Sequence, residues 1–178
     1  MERSAYKAQA EIVLIDGNNF TAESFDDFCR YQEVKKVYRL VEGTLQLVYH
    51  PFVEDWTPEY KREKAREIRS GTHIVYAAFE GGKVVGEIML LPELDRGRMI
   101  IDSYHVSAGK RRHGIGRALF EAARREAIRH GAIALYASAC SAQETIDFYL
   151  AMGFVVSPHP IRACVDAEPW DIQMECVF

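Results

Sequence analysis

Residues 106–120, Val-Ser-Ala-Gly-Lys-Arg-Arg-His-Gly-Ile-Gly-Arg-Ala-Leu-Phe, put four cations and three glycines where an apolar run gives way to a helical pattern. That chemistry suits a phosphate. Gly114 and Gly116 lack a Cβ, so the backbone there can take unusual dihedrals and approach a ligand closely. The helix that follows begins with N–H groups that have no intrahelical partner, at the positive end of its dipole, and an anion satisfies both. Lys110, Arg111, Arg112 and Arg117 add charge around the same point. Spacing separates three glycine loops. A Walker A loop requires G-x-x-x-x-G-K-[ST], which no segment matches, and a dinucleotide fingerprint requires a third glycine where Leu119 stands. The pattern that fits is R-x-x-G-x-G, from Arg111 through Gly114 to Gly116.

A second segment, Phe148-Tyr149-Leu-Ala-Met-Gly153-Phe154, follows at a matching distance. Together the two resemble the GNAT superfamily of N-acetyltransferases, with its Q/R-x-x-G-x-G/A loop and its F-Y-x-x-x-G-F segment. The resemblance covers residues 72–178, and residues 1–71 join it by position as the acceptor side of one domain, 1–178. It implies an α/β (α+β) fold: a mixed, mostly antiparallel central sheet with helices on both faces and one parallel βαβ unit at the CoA site. It implies acetyl-CoA as co-substrate, with Arg111, Arg112, His113, Gly114, Ile115, Gly116 and Arg117 around the pyrophosphate. The backbone of Tyr104, His105 and Val106 would pair with pantetheine and polarise the thioester carbonyl. Many members carry asparagine seven residues before the tyrosine. Here that residue is Ala142, so one polar contact to the cofactor is missing or is supplied by Ser141.

Acyl transfer to an amine moves two protons: an ammonium of pKa about 10.4 loses one, and a thiolate leaving group gains one. Tyr149 matches the family's general acid. For the base the resemblance points to Asp102, which shares strand parity with Tyr104 and Val106, while His105 faces the other way. Glu87 on the preceding strand is the alternative, acting through a water. No cysteine is placed as a nucleophile, Cys140 being the nearest. The expected activity is therefore transfer from acetyl-CoA to the primary amine of a small molecule, in a ternary complex. The competing class is a non-catalytic acyl-CoA sensor. Trp56, Tyr60, Trp170 and Asp55 are candidates for the acceptor cleft.

These residues need elements to hold them. The strand ending at Val106, the basic turn, an amphipathic helix over 116–130 and a strand over 133–139 make a βαβ unit, whose strands must be parallel. Residues 72–79 and 83–91 read as a hairpin about Gly81-Gly82, 143–152 as a helix, and 171–177 as a closing strand. Upstream, 10–16 reads as a strand and 21–30 as a short helix capped by Thr21 or Ser24. Residues 34–48 favour a hairpin over a helix continued through Leu40. Residues 51–56 read as a loop, and Thr57-Pro58 starts a helix over 59–69 whose interleaved charges mark a solvated face.

With 48% apolar and 27% charged residues the composition is that of a globular chain, not a disordered one. A net charge of −4 gives no general affinity for nucleic acid, so the basic turn is a local site. Cys29, Cys140, Cys164 and Cys176 form no C-x-x-C pair and no metal-like set with the histidines. Residues 1–9 are polar, without the apolar core of a signal peptide, and no run is long enough for a membrane span. The expectation is a cytoplasmic protein with a small-molecule amine as partner, no nucleic acid, no membrane, no metal, and homodimerisation open to it.

Overall fold

The computed structural model describes residues 10–178, so the reading of residues 1–9 lies outside it. The chain runs β1 (Glu11–Leu14), β2 (Gln32–Val41), β3 (Thr44–Glu54), α1 (Pro58–Arg69), β4 (Ile74–Glu80), β5 (Lys83–Asp95) and β6 (Arg98–Val106). It continues with α2 (Ile115–Arg129), β7 (Ala134–Ala139), α3 (Gln143–Ala151), β8 (Val155–Val156), α4 (Arg162–Ala167) and β9 (Ile172–Val177). A seven-stranded sheet has the order β1-β4-β5-β6-β7-β9-β8, and β2 and β3 form a separate hairpin. Every neighbouring pair in the large sheet is antiparallel except β6 and β7, which are parallel and joined by α2. The mixed sheet and its βαβ unit are as expected.

Each face of the sheet buries its own core. On one, Leu119, Phe120 and Ala123 of α2 and Ile146 and Tyr149 of α3 pack on Ile88, Leu90, Met99, Leu135 and Ala137. On the other, Ala65 and Ile68 of α1 join Phe20, Phe25 and Phe28 over Val75, Ala77 and Met89. Alternation along β4 and β5 supplies both faces, since successive strand side chains point oppositely. Thr57 caps α1, its Oγ1 accepting the Tyr60 N–H at 3.2 Å, with Pro58 at the first helical position.

Two expectations are corrected. Residues 21–30 form successive turns instead of a helix: Ser24, Asp26 and Phe28 donate only to carbonyls three residues back. Thr21 and Ser24 hydroxyls compete for the local amides, Ser24 Oγ accepting from Thr21 N at 2.8 Å and Thr21 Oγ1 from Glu23 N at 3.2 Å. Residues 51–54 belong to β3, not to a loop. Pro51 is tolerated because β3 pairs with β2 alone and the register shifts between Val34 and Lys36, opposite it. The helix α4, between β8 and β9, was not foreseen.

Candidate functional site

The pairing of β6 with β7 runs from Arg98↔Ala134 to Ile101↔Ala137 and stops, although β6 continues to Val106 and β7 to Ala139. Residues 102–106 therefore keep β5 on one side and present an unpaired backbone edge on the other. At the end of that edge the chain turns through Arg112, at φ 64°, and Gly114, at φ 83°, into α2. No side chain caps this helix, and its first internal bond is from Ala118 N to Gly114 O. The amides of Ile115, Gly116 and Arg117 stay free for an anion.

The two glycines serve different ends. Gly114 needs its left-handed dihedral. Gly116 is helical, and its place is set by Phe148, whose ring atoms would lie 3.2 Å from a Cβ there. Its carbonyl also accepts the Tyr104 hydroxyl. The cations divide likewise. Arg112, His113 and Arg117 are exposed around the turn, whereas Lys110 pairs with Glu80. Arg111 is turned inward: its Nε donates to Val106 O and its Nη2 to Arg30 O, both at 3.0 Å. Burial, and next the nearby Arg30 charge, lower its pKa.

The carboxylates sit elsewhere than parity predicts. Met89 pairs with Ser103 and Leu90 with Ile101, so Asp102 is an extra residue in β6, a β-bulge that reverses the faces beyond it. The expectation that Asp102 shares a face with Tyr104 and Val106 fails for that reason. Its Oδ2 lies 3.3 Å from His73 Nε2, near Glu67 of α1. Past the bulge Glu87, Ser103 and His105 come together. Glu87 is 0% exposed. Its Oε1 accepts from Ser103 Oγ and contacts His105 Nδ1, each at 2.8 Å, while Oε2 has no partner. Trp56 packs edge-on against the His105 ring at 4.9 Å and against Tyr60 at 5.3 Å. Asp55, by contrast, accepts its neighbour Trp56's N–H.

Tyr149 is 7% exposed, with Tyr104, Phe148 and Phe154 around its ring. Burial first, then the charges of Glu87 and Asp171, raise its pKa. At the open end of β7 lies a group that sequence reasoning missed. Asp171 precedes Ile172, the partner of Ala139, and so stands beside Cys140. Cys140 Sγ contacts Glu54 Oε1 at 3.8 Å, and burial pushes its thiol up to about 11, consistent with an inert cysteine. Glu54 in turn pairs with Arg30. No motif announces Glu54 or Asp171, because each is one carboxylate near a strand end.

The segment 29–38 crosses from one strand end to the other. Ser107 Oγ accepts from Cys29 N at 3.0 Å and Ala108 N donates to Cys29 O at 2.8 Å. At the far side Tyr38 N donates to Ser141 O at 2.7 Å, Val37 bridges Ala142, and Arg39 Nη1 donates to Ser141 Oγ at 2.8 Å. The Ser141 hydroxyl, expected at the cofactor, is thus engaged by the hairpin. Arg39 also covers the face of Trp170, which is otherwise exposed.

The described residues contain no helix long and apolar enough to cross a membrane. No curated protein matches the chain. Its structure is similar to nourseothricin acetyltransferase, with 19% identity, a TM-score of 0.72, and coverage of 96% of this chain and 99% of that one. It is similar to a Bacillus anthracis str. Ames protein described as a streptothricin acetyltransferase, solved with acetyl coenzyme A, at 15% identity, TM-score 0.72, and 95% and 98% coverage. Aminoglycoside 6'-acetyltransferase type Ii follows at 21% identity, TM-score 0.62, and 94% and 96% coverage. These likenesses share the fold. The sequence pattern of the acetyltransferase (GNAT) family matches residues 41–154, more than half of the chain. The chain therefore belongs to the GNAT acetyltransferases and is an acyltransferase that uses acetyl-CoA.

Proposed function

We propose that this protein transfers the acetyl group of acetyl-CoA to the primary amine of a small cationic acceptor. The observation that carries the reading is the strand divergence: residues 102–106 offer a free backbone edge that ends in an uncapped helix, with Tyr149 packed on Tyr104 of that edge. These features fit the donor. The free amides of Ile115, Gly116 and Arg117 would hold the pyrophosphate, helped by Arg112 and Arg117. The edge of Tyr104, His105 and Val106 would hold the pantetheine arm. Arg111 acts by fixing the turn, since its guanidinium is spent on two carbonyls. When bound, the thioester supplies the acetyl group and a thiolate leaving group.

The chain's own residues manage the protons. His105, with Nδ1–H donated to Glu87, leaves Nε2 to take the ammonium proton, and Glu87 stabilises the imidazolium that results. Glu87 Oε2, buried and unpartnered, is a ready acceptor for an ammonium or a water. Asp102 is the weaker base because it faces His73 and α1. The Tyr149 hydroxyl, with no hydrogen bond among the described residues, donates to the leaving sulfur. Its raised pKa keeps it protonated until that moment. The names of the similar proteins, which include streptothricin and aminoglycoside acetyltransferases, support a cationic acceptor.

A thiol-release assay across an amine library tests this. Tyr149→Phe should lower kcat by about 100-fold, with acetyl-CoA affinity unchanged, the range for loss of one general acid. His105→Gln should lower kcat/KM by a similar factor and flatten the acidic limb of the pH profile. Tight acetyl-CoA binding without turnover on any amine would instead identify a sensor, and full activity of Tyr149→Phe would refute the assigned acid.

A further inference from the structure

Resting on that function, we infer that Ser103 is a positioning residue for the base: its hydroxyl pins Glu87, so that His105 keeps its proton on Nδ1 and offers Nε2 to the ammonium. Ser103 is 6% exposed and lies against both groups. Its Oγ is 2.8 Å from Glu87 Oε1 and 3.2 Å from His105 Nδ1, while Nδ1 and Oε1 are themselves 2.8 Å apart. Donor and acceptor rules choose among the pairings. An ionised carboxylate only accepts, so a bare Nδ1 lone pair at that distance would set two acceptors against each other. Nδ1 therefore carries a hydrogen and donates it to Oε1. The Ser103 O–H then meets no lone pair on Nδ1, and Glu87 Oε1 is its acceptor.

Two donors thus converge on one buried carboxylate oxygen. The bond from the hydroxyl holds the carboxylate in one orientation and draws off part of its negative charge. That charge is what stabilises the imidazolium beside it. With the hydroxyl removed, Glu87 becomes the stronger partner and His105 holds its proton to higher pH. No other side chain among the described residues takes over this part. The further charged and titratable groups whose fields meet Glu87 are Lys64 of α1, paired with Glu67 at 2.7 Å, and Tyr104 and Tyr149 toward the opposite core. None of the three donates a hydrogen bond to Glu87, and the Tyr104 hydroxyl is spent on Gly116 O. Against the ring itself lies Trp56, which does not titrate. The arrangement depends on the bulge. Ile101 belongs to the α2-side core, and strict alternation would carry Ser103 and His105 to that face too, whereas the extra residue at Asp102 puts them with Glu87.

Nitrogen-15 NMR titration of His105, beside pH profiles of kcat/KM, tests this. Ser103→Ala removes the hydroxyl, Ser103→Thr keeps it, and Ser103→Val matches threonine in shape without it. In the wild type the neutral ring should carry its proton on Nδ1. Ser103→Ala and Ser103→Val should raise the His105 pKa, and the acidic limb of the profile with it, by about 0.7 pH unit, so that kcat/KM falls about fivefold further on the acidic side than on the plateau. Ser103→Thr should restore both, with CoA affinity unchanged in all three. A serine that only supports the fold would lower the rate equally at every pH. That result, a neutral ring protonated on Nε2, or a threonine variant that behaves as the valine one would overturn the proposal. The two claims fail separately. An unmoved His105 titration in Ser103→Ala, with wild-type turnover intact, refutes the positioning alone. A moved titration with full turnover of His105→Gln refutes the base, while the hold of Ser103 on Glu87 and His105 stands.

Discussion

Asp171 is a residue whose burial carries a stability penalty. Burial, then Glu168 and Glu54, raise its pKa from 3.8 to about 6. A carboxyl whose folded pKa is raised holds its proton more tightly in the native state. Stability is therefore lost as pH rises from the unfolded to the folded pKa, and the loss is complete above it. The rise from 3.8 to about 6 corresponds to an upper bound of about 3 kcal/mol. Asp171→Asn, neutral at every pH, should match the wild type in thermal stability near pH 3.5 and exceed it above pH 6.5, by up to that amount. Denaturant melts at the two pH values check this, and equal stability of the two proteins at pH 7 would show the carboxylate to be well solvated.

At the scale of elements, the readable features were those with a local cause. The turn from Arg111 to Gly116, the helix after it and the Gly81-Gly82 hairpin follow from glycine, caps and periodicity, and each falls within a few residues of its expected place. The bulge at Asp102 was not readable. It falls where the pairing of β6 with β7 ends, and nothing in Ile100-Ile101-Asp102-Ser103 marks the extra residue. One unmarked residue changed the proposed base. It moved Asp102 to His73 and brought Ser103 and His105 to Glu87. Residues 21–30 show the reverse failure: a helical spacing of Phe25 and Phe28 was real, yet it serves a turn that buries both rings against Trp56. Tertiary burial outweighed a local preference there.

For the whole molecule the decisive feature is the crossing of residues 29–38 between the two diverging strand ends. Arg111 fastens this segment to the phosphate turn through Arg30 O, and Val37 fastens it to α3 through Ala142. The proposed donor and acceptor sides therefore share a wall. Their supports differ, however: the turn and α2 rest on the large core, which Tyr38 and Leu45 of the hairpin touch only as partly buried residues, while the fully buried residues of the hairpin, Val34 and Val37, close a small cluster with Ala142, with Phe52 and Cys140 beside it. An isolated two-stranded ribbon has little stability of its own. Val37→Asp would put a charge at a position 1% exposed, a change that few small clusters absorb. The hairpin should then detach while the seven-stranded sheet persists, so that CoA affinity changes by less than threefold and the acceptor KM rises at least 10-fold. Titration with CoA beside steady-state acceptor kinetics checks the split. A parallel loss of both affinities would mean that the crossing segment holds the phosphate turn in place as well, and that the two sides fold as one unit.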